Sequence, residues 1–323
     1  MKKVLVFVMC ILLSMSFAGC KKEETKEPEK KEPVTKESEK KDPVVKEESI
    51  TVGFAVSTLA NPFFVTMKEG GEAKAEELGM DIITLDAQDS SETQVSQVED
   101  LIARDVDIII INPVDSDAIG VAVKEANKAN IPVITVTRPS NSGEVVQHLD
   151  IDNAEAGKLA AEEVAKVLNG KGQIAILEGI AGAPSALDRQ KGFEDVINEY
   201  PDIKIVTSLT ANYSREEGAA VMEDILQANP ELDVVYAHND EMALGAVRTI
   251  KAANRLNEIK VFGIDATDDA LVAIEKNEMS ATVKQQPDLQ MAKAVEAAMK
   301  VAKGEEVEEK VIIPLLLVNK DNL

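Results

Sequence analysis

From residue 50 onward the apolar positions of this chain keep two alternating rhythms. Short, nearly continuous β-branched runs, ITVGFAV (50–56), DIITLDA (81–87), DIIIINP (107–113) and IPVITVT (131–137), have the pattern of strands covered on both faces. Between them stand segments such as ETQVSQVEDLIARDV and AIGVAVKEANKAN, whose apolar residues recur at helical spacing. After HLDIDNAEAGKLAAEEVAKVLNG the alternation starts again with QIAILEG, DIKIVTSL, LDVVYAH, IKVFGID and SATVKQ. Strands alternating with helices predict βαβ units and parallel sheets, and about 270 residues suffice for two cores. The expected fold is α/β, with two doubly wound parallel-sheet lobes.

The first 49 residues keep neither rhythm. Lys2 and Lys3, the apolar run from Val4 to Leu13 and the small-residue exit FAGC make residues 1–20 a signal peptide. The run is too short for a membrane span, and no later run approaches the roughly 20 apolar residues that a span requires. A cysteine directly after Ala-Gly resembles the lipobox of bacterial lipoproteins, which implies lipidation of Cys20; Phe17 stands where that motif usually has Leu. Residues 21–49 are almost wholly Lys, Glu and Pro and cannot bury enough apolar surface to offset their ordering entropy. They are expected to be a disordered tether reaching on the order of 30 Å. Cys10 and Cys20 are the only cysteines, so the folded part offers no disulfide or thiolate metal site. The formal net charge is −23, more negative by two once Lys2 and Lys3 leave with the leader, which disfavours nucleic acid as a partner.

In open parallel sheets, ligands bind beyond the carboxyl ends of the strands. The residues that follow the expected strands are Asn61-Pro-Phe-Phe, Asp86, Asn112-Pro-Val-Asp115 and Thr137-Arg138 in the first series. The second series offers Asp188-Arg189, Asn212-Tyr213, His238-Asn239-Asp240, Asp265 and Gln285-Gln286. Two such edges facing one another would enclose a polar cleft suited to a neutral polyol, with Asn and Gln giving donors and acceptors, Asp accepting and Arg donating. The segment STLANPFFVTMKEG (57–70) joins the first strand to a helix, expected from the spacing of Val65, Met67, Ala73, Ala75 and Leu78 and started by Pro62 at its first position. On residues alone the Phe63–Phe64 pair has two readings, an apolar wall for a sugar ring or a staple that fills the core at the helix start.

STLANPFFVTMKEG, INPVDSDAIG, IPVITVTR, EGIAGAPSALDRQKGF, HNDEMALGA and VFGIDATDDAL together resemble the ribose-binding proteins of bacterial ABC importers, from about Ser49 to the C-terminus. The resemblance implies two lobes joined by a three-crossing hinge that close over one monosaccharide, ribose or a related pentose or hexose. It implies lobes of 50–152 with 286–314 and of 153–285 with 315–323. Carried over by motif, the ligand contacts are Asn61, Phe63, Phe64, Thr137 and Arg138 from the first lobe, and Arg189, Tyr213, Asn239, Asp265 and Gln285 from the second. It implies a monomer on the outer side of the cytoplasmic membrane that serves membrane permease subunits driven by a separate ATPase; a sugar sensor docking at a chemoreceptor is the alternative, which nothing in the sequence separates from delivery to a permease. The sequence departs from the family pattern at Thr137, where an Asp is usual, and at Tyr213, where a Phe is usual. With Thr137, only Arg138, Arg189 and Asp265 among the expected contacts carry charge, a net excess of one positive charge. That excess points to a modified or acidic sugar, or an autoinducer-type furanose, as the alternative ligand.

Two other classes are disfavoured. An enzyme of this fold would carry a G-x-G-x-x-G after the first strand, a phosphate-binding G-x-x-x-x-G-K-[ST] or a G-x-S-x-G nucleophile turn, and none is present. No cofactor or metal is expected, since His148 and His238 are the only histidines and read as hydrogen-bonded structural residues. Asp268-Asp269 reads as the first turn of a helix and Glu305-Glu306 as a solvated loop. A sugar-responsive transcription regulator would need a basic helix-turn-helix where this chain has an export leader. If Cys20 is lipidated, Cys20→Ala should move the protein from the membrane fraction to the soluble or secreted fraction on cell fractionation. Unchanged membrane association would reject the anchor.

Overall fold

The computed structural model describes residues 49–323. The leader, Cys20 and the tether up to residue 48 lie outside the described residues. The chain runs β1 (Thr51–Val56), α1 (Pro62–Leu78), β2 (Asp81–Asp86), α2 (Ser91–Ala103), β3 (Ile108–Ile111), α3 (Gly120–Lys128), β4 (Val133–Val136) and β5 (Gln147–Asp150). It continues as α4 (Asn153–Val167), β6 (Lys171–Glu178), α5 (Pro184–Ile197), β7 (Asp202–Thr210), α6 (Arg215–Ala228), β8 (Val234–Ala237), α7 (Asp240–Ala252), β9 (Lys260–Asp265), α8 (Asp268–Glu275) and β10 (Ala281–Lys284). It ends as α9 (Pro287–Ala302), β11 (Lys310–Ile312) and β12 (Leu316–Asn319).

Two six-stranded sheets result, ordered β11-β5-β4-β3-β1-β2 and β12-β10-β9-β8-β6-β7. The pairings are parallel except that of β10 with β12. Each sheet thus repeats one doubly wound order with a last strand added beside its fifth, and the chain passes between sheets after β5, after β10 and between β11 and β12. This is the expected α/β architecture with three crossings. The strands are buried because helices cover both faces. All four isoleucines of β3 are fully buried, and each sheet has one apolar cluster on either side. Among the described residues no helix is long and apolar enough to cross a membrane.

Local chemistry sets where the helices start. Asn61 caps α1 by accepting from the Phe63 N–H at 2.9 Å, with Pro62 in the first turn as the sequence suggests, and Gly79 ends the helix in the left-handed conformation at φ 69°. The face α1 buries is Phe63, Phe64, Met67, Gly71 and Ala75; Ala73, expected on that face, is exposed. Three strands escaped the sequence pattern. β5 (QHLD), β11 (KVI) and β12 (LLVN) are each three or four residues long. They are strands because they pair with distant segments, Lys310 beside His148 and Leu316 beside Lys284.

Glycines bring three helix pairs, α1 with α9, α4 with α5 and α6 with α7, into close contact. A Cβ on Gly70 would lie 2.5 Å from the Asp288 Cα, and one on Gly71 would lie 2.6 Å from the Met291 side chain, so α1 lies directly against α9. In the second lobe a Cβ on Gly192 would stand 1.9 Å from the Ala154 carbonyl oxygen, and one on Gly157 would stand 2.2 Å from the Arg189 oxygen. Gly192→Ala should therefore push α4 and α5 apart and lower stability by about 1–3 kcal/mol, read as a lower urea midpoint at unchanged slope. An unchanged midpoint would show that the helices tolerate a wider spacing.

Candidate ligand-binding site

The carboxyl ends of both sheets open onto one cavity of about 440 Å³. All ten side chains singled out from the sequence lie in its wall: Asn61, Phe63, Phe64, Thr137 and Arg138 on one side, and Arg189, Tyr213, Asn239, Asp265 and Gln285 on the other. The other strand-end residues lie outside the wall except Asn212, and several do scaffold work. Asp86 accepts from the N–H groups of Leu59 at 3.2 Å and Gln88 at 2.9 Å. Asn112, fully buried, accepts from the Ser57 N–H and donates to the Val136 carbonyl, tying the ends of β1, β3 and β4 together. Asp115 accepts from two N–H groups of its own turn.

Asn61 and Asn239 each spend their side-chain oxygen on capping a helix, Asn239 accepting from Met242 N–H at 3.0 Å, and each still faces the cavity. The Phe pair fills the core and also borders the cavity. Phe63 and Phe64 are each 5% exposed and packed in the first lobe's core, edge to face at 5.1 Å, while their rims form part of the cavity wall. The Arg138 guanidinium stands 5.9 Å from the Phe64 ring centre, within reach of a cation–π attraction, and its Nη1 donates to the Pro113 carbonyl at 2.8 Å. Thr137 holds φ 66°, a left-handed conformation that a β-branched residue rarely adopts, and its hydroxyl donates to Gln290 Oε1 at 2.9 Å. Gln290 in turn donates to the Leu149 carbonyl at 2.9 Å.

In the second lobe, Arg189 is 4% exposed and aimed by two bonds, Nε to Asn153 Oδ1 at 2.9 Å and Nη1 to the His238 carbonyl at 2.6 Å. The Tyr213 hydroxyl pairs with Ser185 Oγ at 2.9 Å, so the extra oxygen at this position is satisfied within the lobe. Its ring fits only because residue 179 is glycine: a Cβ there would lie 2.1 Å from the Tyr213 Cζ. Asp265 accepts from Gln285 Nε2 at 2.5 Å. Burial raises its pKa well above the usual carboxylate range, with the Asp240 charge adding to the rise and Arg189 opposing it.

His238 is a scaffold group. The Gly179 N–H donates to its Nδ1 at 3.2 Å, which leaves Nε2 to donate to Gln190 Oε1 at 2.9 Å, and burial lowers its pKa to about 3, with Arg189 acting in the same direction. The ring is a neutral, fixed tautomer. His148 pairs with Thr135 Oγ1 at 2.9 Å. Among the described residues no cluster of three or more His, Cys, Asp and Glu could hold a metal ion.

Sequence reasoning missed Thr58, Asp89, Ser185, Arg215, Glu216 and Glu241, which also face the cavity. These residues correct the expected charge. The wall holds Arg138, Arg189 and Arg215 against Asp89, Glu216, Glu241 and Asp265, so no positive excess exists. Arg215 is neutralised at the rim by a bidentate pair with Glu241, at 2.6 and 2.9 Å, and by Asp269 at 2.8 Å. The one signal available beforehand was position: Asp89 follows β2 as Asn61 follows β1.

The periplasmic binding protein domain matches residues 52–306. The ribose import binding protein RbsB of Escherichia coli (strain K12) is 42% identical over 270 residues, which cover 84% of this chain and 90% of that protein. An ABC transporter periplasmic solute binding protein from Actinobacillus succinogenes 130z, solved with bound D-allose, superposes with a TM-score of 0.82 at 34% identity, covering 84% of this chain and 98% of that one. An ABC transporter solute binding protein from Bacillus halodurans C-125, solved with bound myo-inositol, gives 0.80 at 36% identity, covering 84% and 95%.

The floor behind the cavity makes a pH dependence measurable. Asp240 is fully buried and accepts from Thr282 Oγ1 at 2.7 Å and Thr267 N–H at 2.9 Å, yet burial outweighs these bonds and raises its pKa from 3.8 to about 6. A carboxyl with a folded pKa above its unfolded value binds more protons in the folded state, so stability falls as pH rises from about 4 to 6 and stays lower above that. The loss is at most on the order of 3 kcal/mol. Asp240→Asn should flatten this descent relative to wild type in urea midpoints at pH 4, 5, 6 and 7. Parallel curves for the two proteins would show that Asp240 is not the group responsible.

Proposed function

The chain belongs to the periplasmic binding protein family, and from that premise we propose that it is the solute-binding component of an ABC sugar importer, holding one monosaccharide between two lobes. It is a binding protein rather than an enzyme, and it works on the extracytoplasmic side. The observation that carries the reading is the cavity itself. Polar groups from both sheets converge on an apolar rim made by the Phe pair, a combination that matches the hydroxyl edges and the C–H face of a sugar ring. The ligand is ribose or a related pentose or hexose, and the ten wall residues from Asn61 to Gln285 are its contacts.

The lobes are residues 50–152 with 286–314 and residues 153–285 with 315–323. Bound sugar touches both, so it favours the closed form by its extra contacts there, and the lobes turn about the three crossings. The closed monomer is read by membrane permease subunits with a separate ATPase. Lipid on Cys20 keeps it near them. Mass spectrometry of small molecules released from the purified protein, followed by calorimetric titration, tests the reading directly; absence of any sugar ligand would overturn it.

Arg138 and Arg189 come from different lobes and should both donate to the sugar. Arg138→Ala, and Arg189→Lys, which keeps charge but loses the planar fork, should each weaken binding by about 1.5–3 kcal/mol with the fold intact. Unaltered affinity in both variants would place the sugar elsewhere.

A further inference from the structure

Among the described residues no carboxylate is in direct contact with Arg138, although it is held in a cleft that desolvates it. The acidic group nearest in function comes from the turn between β2 and α2. There Asp89 stands in the cavity wall at φ 58°, its own N–H bonded to the Ser57 carbonyl at 2.8 Å. The turn is pinned on both sides of it, by Ala87 N–H to the Val56 carbonyl at 3.0 Å and by Ser90, which caps α2. We propose that Asp89 is a specificity-determining residue of the cleft: its carboxylate accepts from a ligand hydroxyl at the corner it shares with Arg138, and so selects an uncharged polyol over the matching sugar acid. This deepens the sugar-binding reading above and rests on it.

Three observations support the assignment. Thr137, the other oxygen at this corner, has its hydroxyl hydrogen committed to Gln290 and its backbone fixed, so it offers only a neutral, weak acceptor. Asp89 and Arg138 feel each other's charge, and the Asp89 carboxyl, raised mainly by desolvation, is drawn back down by Thr58 and Arg138. They form no direct ion pair and both line the cavity, an arrangement in which a ligand hydroxyl could donate to Asp89 and accept from Arg138. In the remaining wall Arg215 is paired with Glu241, Arg189 and Asp265 attract each other, and Glu216 adds a further negative charge. A ligand carboxylate at this corner would meet an Arg138 already offset by the Asp89 charge and would itself be repelled by Asp89.

Calorimetric titration of the purified full-length protein against D-ribose, D-xylose, D-allose, L-arabinose, xylitol and myo-inositol, with D-ribonate and D-xylonate as anionic counterparts, tests the proposal. Wild type should bind at least one uncharged member and prefer ribose or xylose to its aldonate. Asp89→Asn suits a left-handed turn and preserves shape, and thermal melting checks that it folds; Asp89→Ser is the second variant. Both should lose roughly 10- to 100-fold in affinity for the uncharged ligand, while the aldonate-to-aldose affinity ratio rises by about tenfold or more. A wild type that binds a sugar, with variants whose affinities and ratios stay within about twofold of it, would overturn the role of Asp89 alone, as would a wild-type preference for an aldonate. A wild type that binds none of the panel would overturn the sugar-binding reading itself.

Discussion

A parallel strand that turns into a helix delivers the helix's first N–H groups, unpartnered, to the carboxyl edge of the sheet, and something polar must satisfy them there. In this protein Asn61, Ser90, Ser214, Asn239 and Thr267 do so for α1, α2, α6, α7 and α8. The polarity of the cleft begins as a requirement of folding. Asn61 and Asn239 show how it becomes a binding surface: capping uses the amide oxygen, and the amide group as a whole still faces the cavity. Aspartate or serine would cap as well but would bring no second donor group.

The same economy joins the hinge to the cleft. α9 begins immediately after the second crossing, and Gly70 and Gly71 let it lie directly against α1. That close approach brings Gln290 to Thr137 on one side and to the Leu149 carbonyl on the other. Gln286, just before α9, donates to the Pro314 carbonyl at 2.8 Å and so ties the second crossing to the third. One corner of the cavity and the path of the hinge are therefore joined through α9 and its hydrogen bonds.

The alternation of β-branched runs with helical spacing made nine of the strands and the winding of both sheets legible, because buried parallel strands must be apolar on both faces. β5, β11 and β12 were not legible, since three or four residues such as QHLD or KVI become strands only through partners brought to them by the rest of the fold. The ten cavity residues were legible from motif and strand-end position together. Asp89 and the Arg215–Glu241 pair were not, because whether a turn residue faces the cleft depends on backbone angles that the sequence does not state: Asp86 and Asp89 sit three positions apart, one spent on its own turn and one in the wall. The expectation of excess positive charge failed for this reason.

Those backbone angles are themselves the last link between stability and binding. Asp89, Thr137, Asn212, Tyr213 and Asp265 all line the cavity, and all have positive φ, from 51° at Asn212 to 137° at Asp265. Glycine would adopt these conformations at little cost, whereas non-glycine residues held in sparsely populated backbone regions cost of order 1–3 kcal/mol each. Glycine would also leave nothing to reach a ligand. Such strain persists only where neighbours over-determine it, as Gln290 does for Thr137, Ser185 and the open space at Gly179 do for Tyr213, and Gln285 does for Asp265. Folding thus gives up stability at the strand ends to hold these side chains in place before a ligand arrives, which reduces the ordering that binding must still supply.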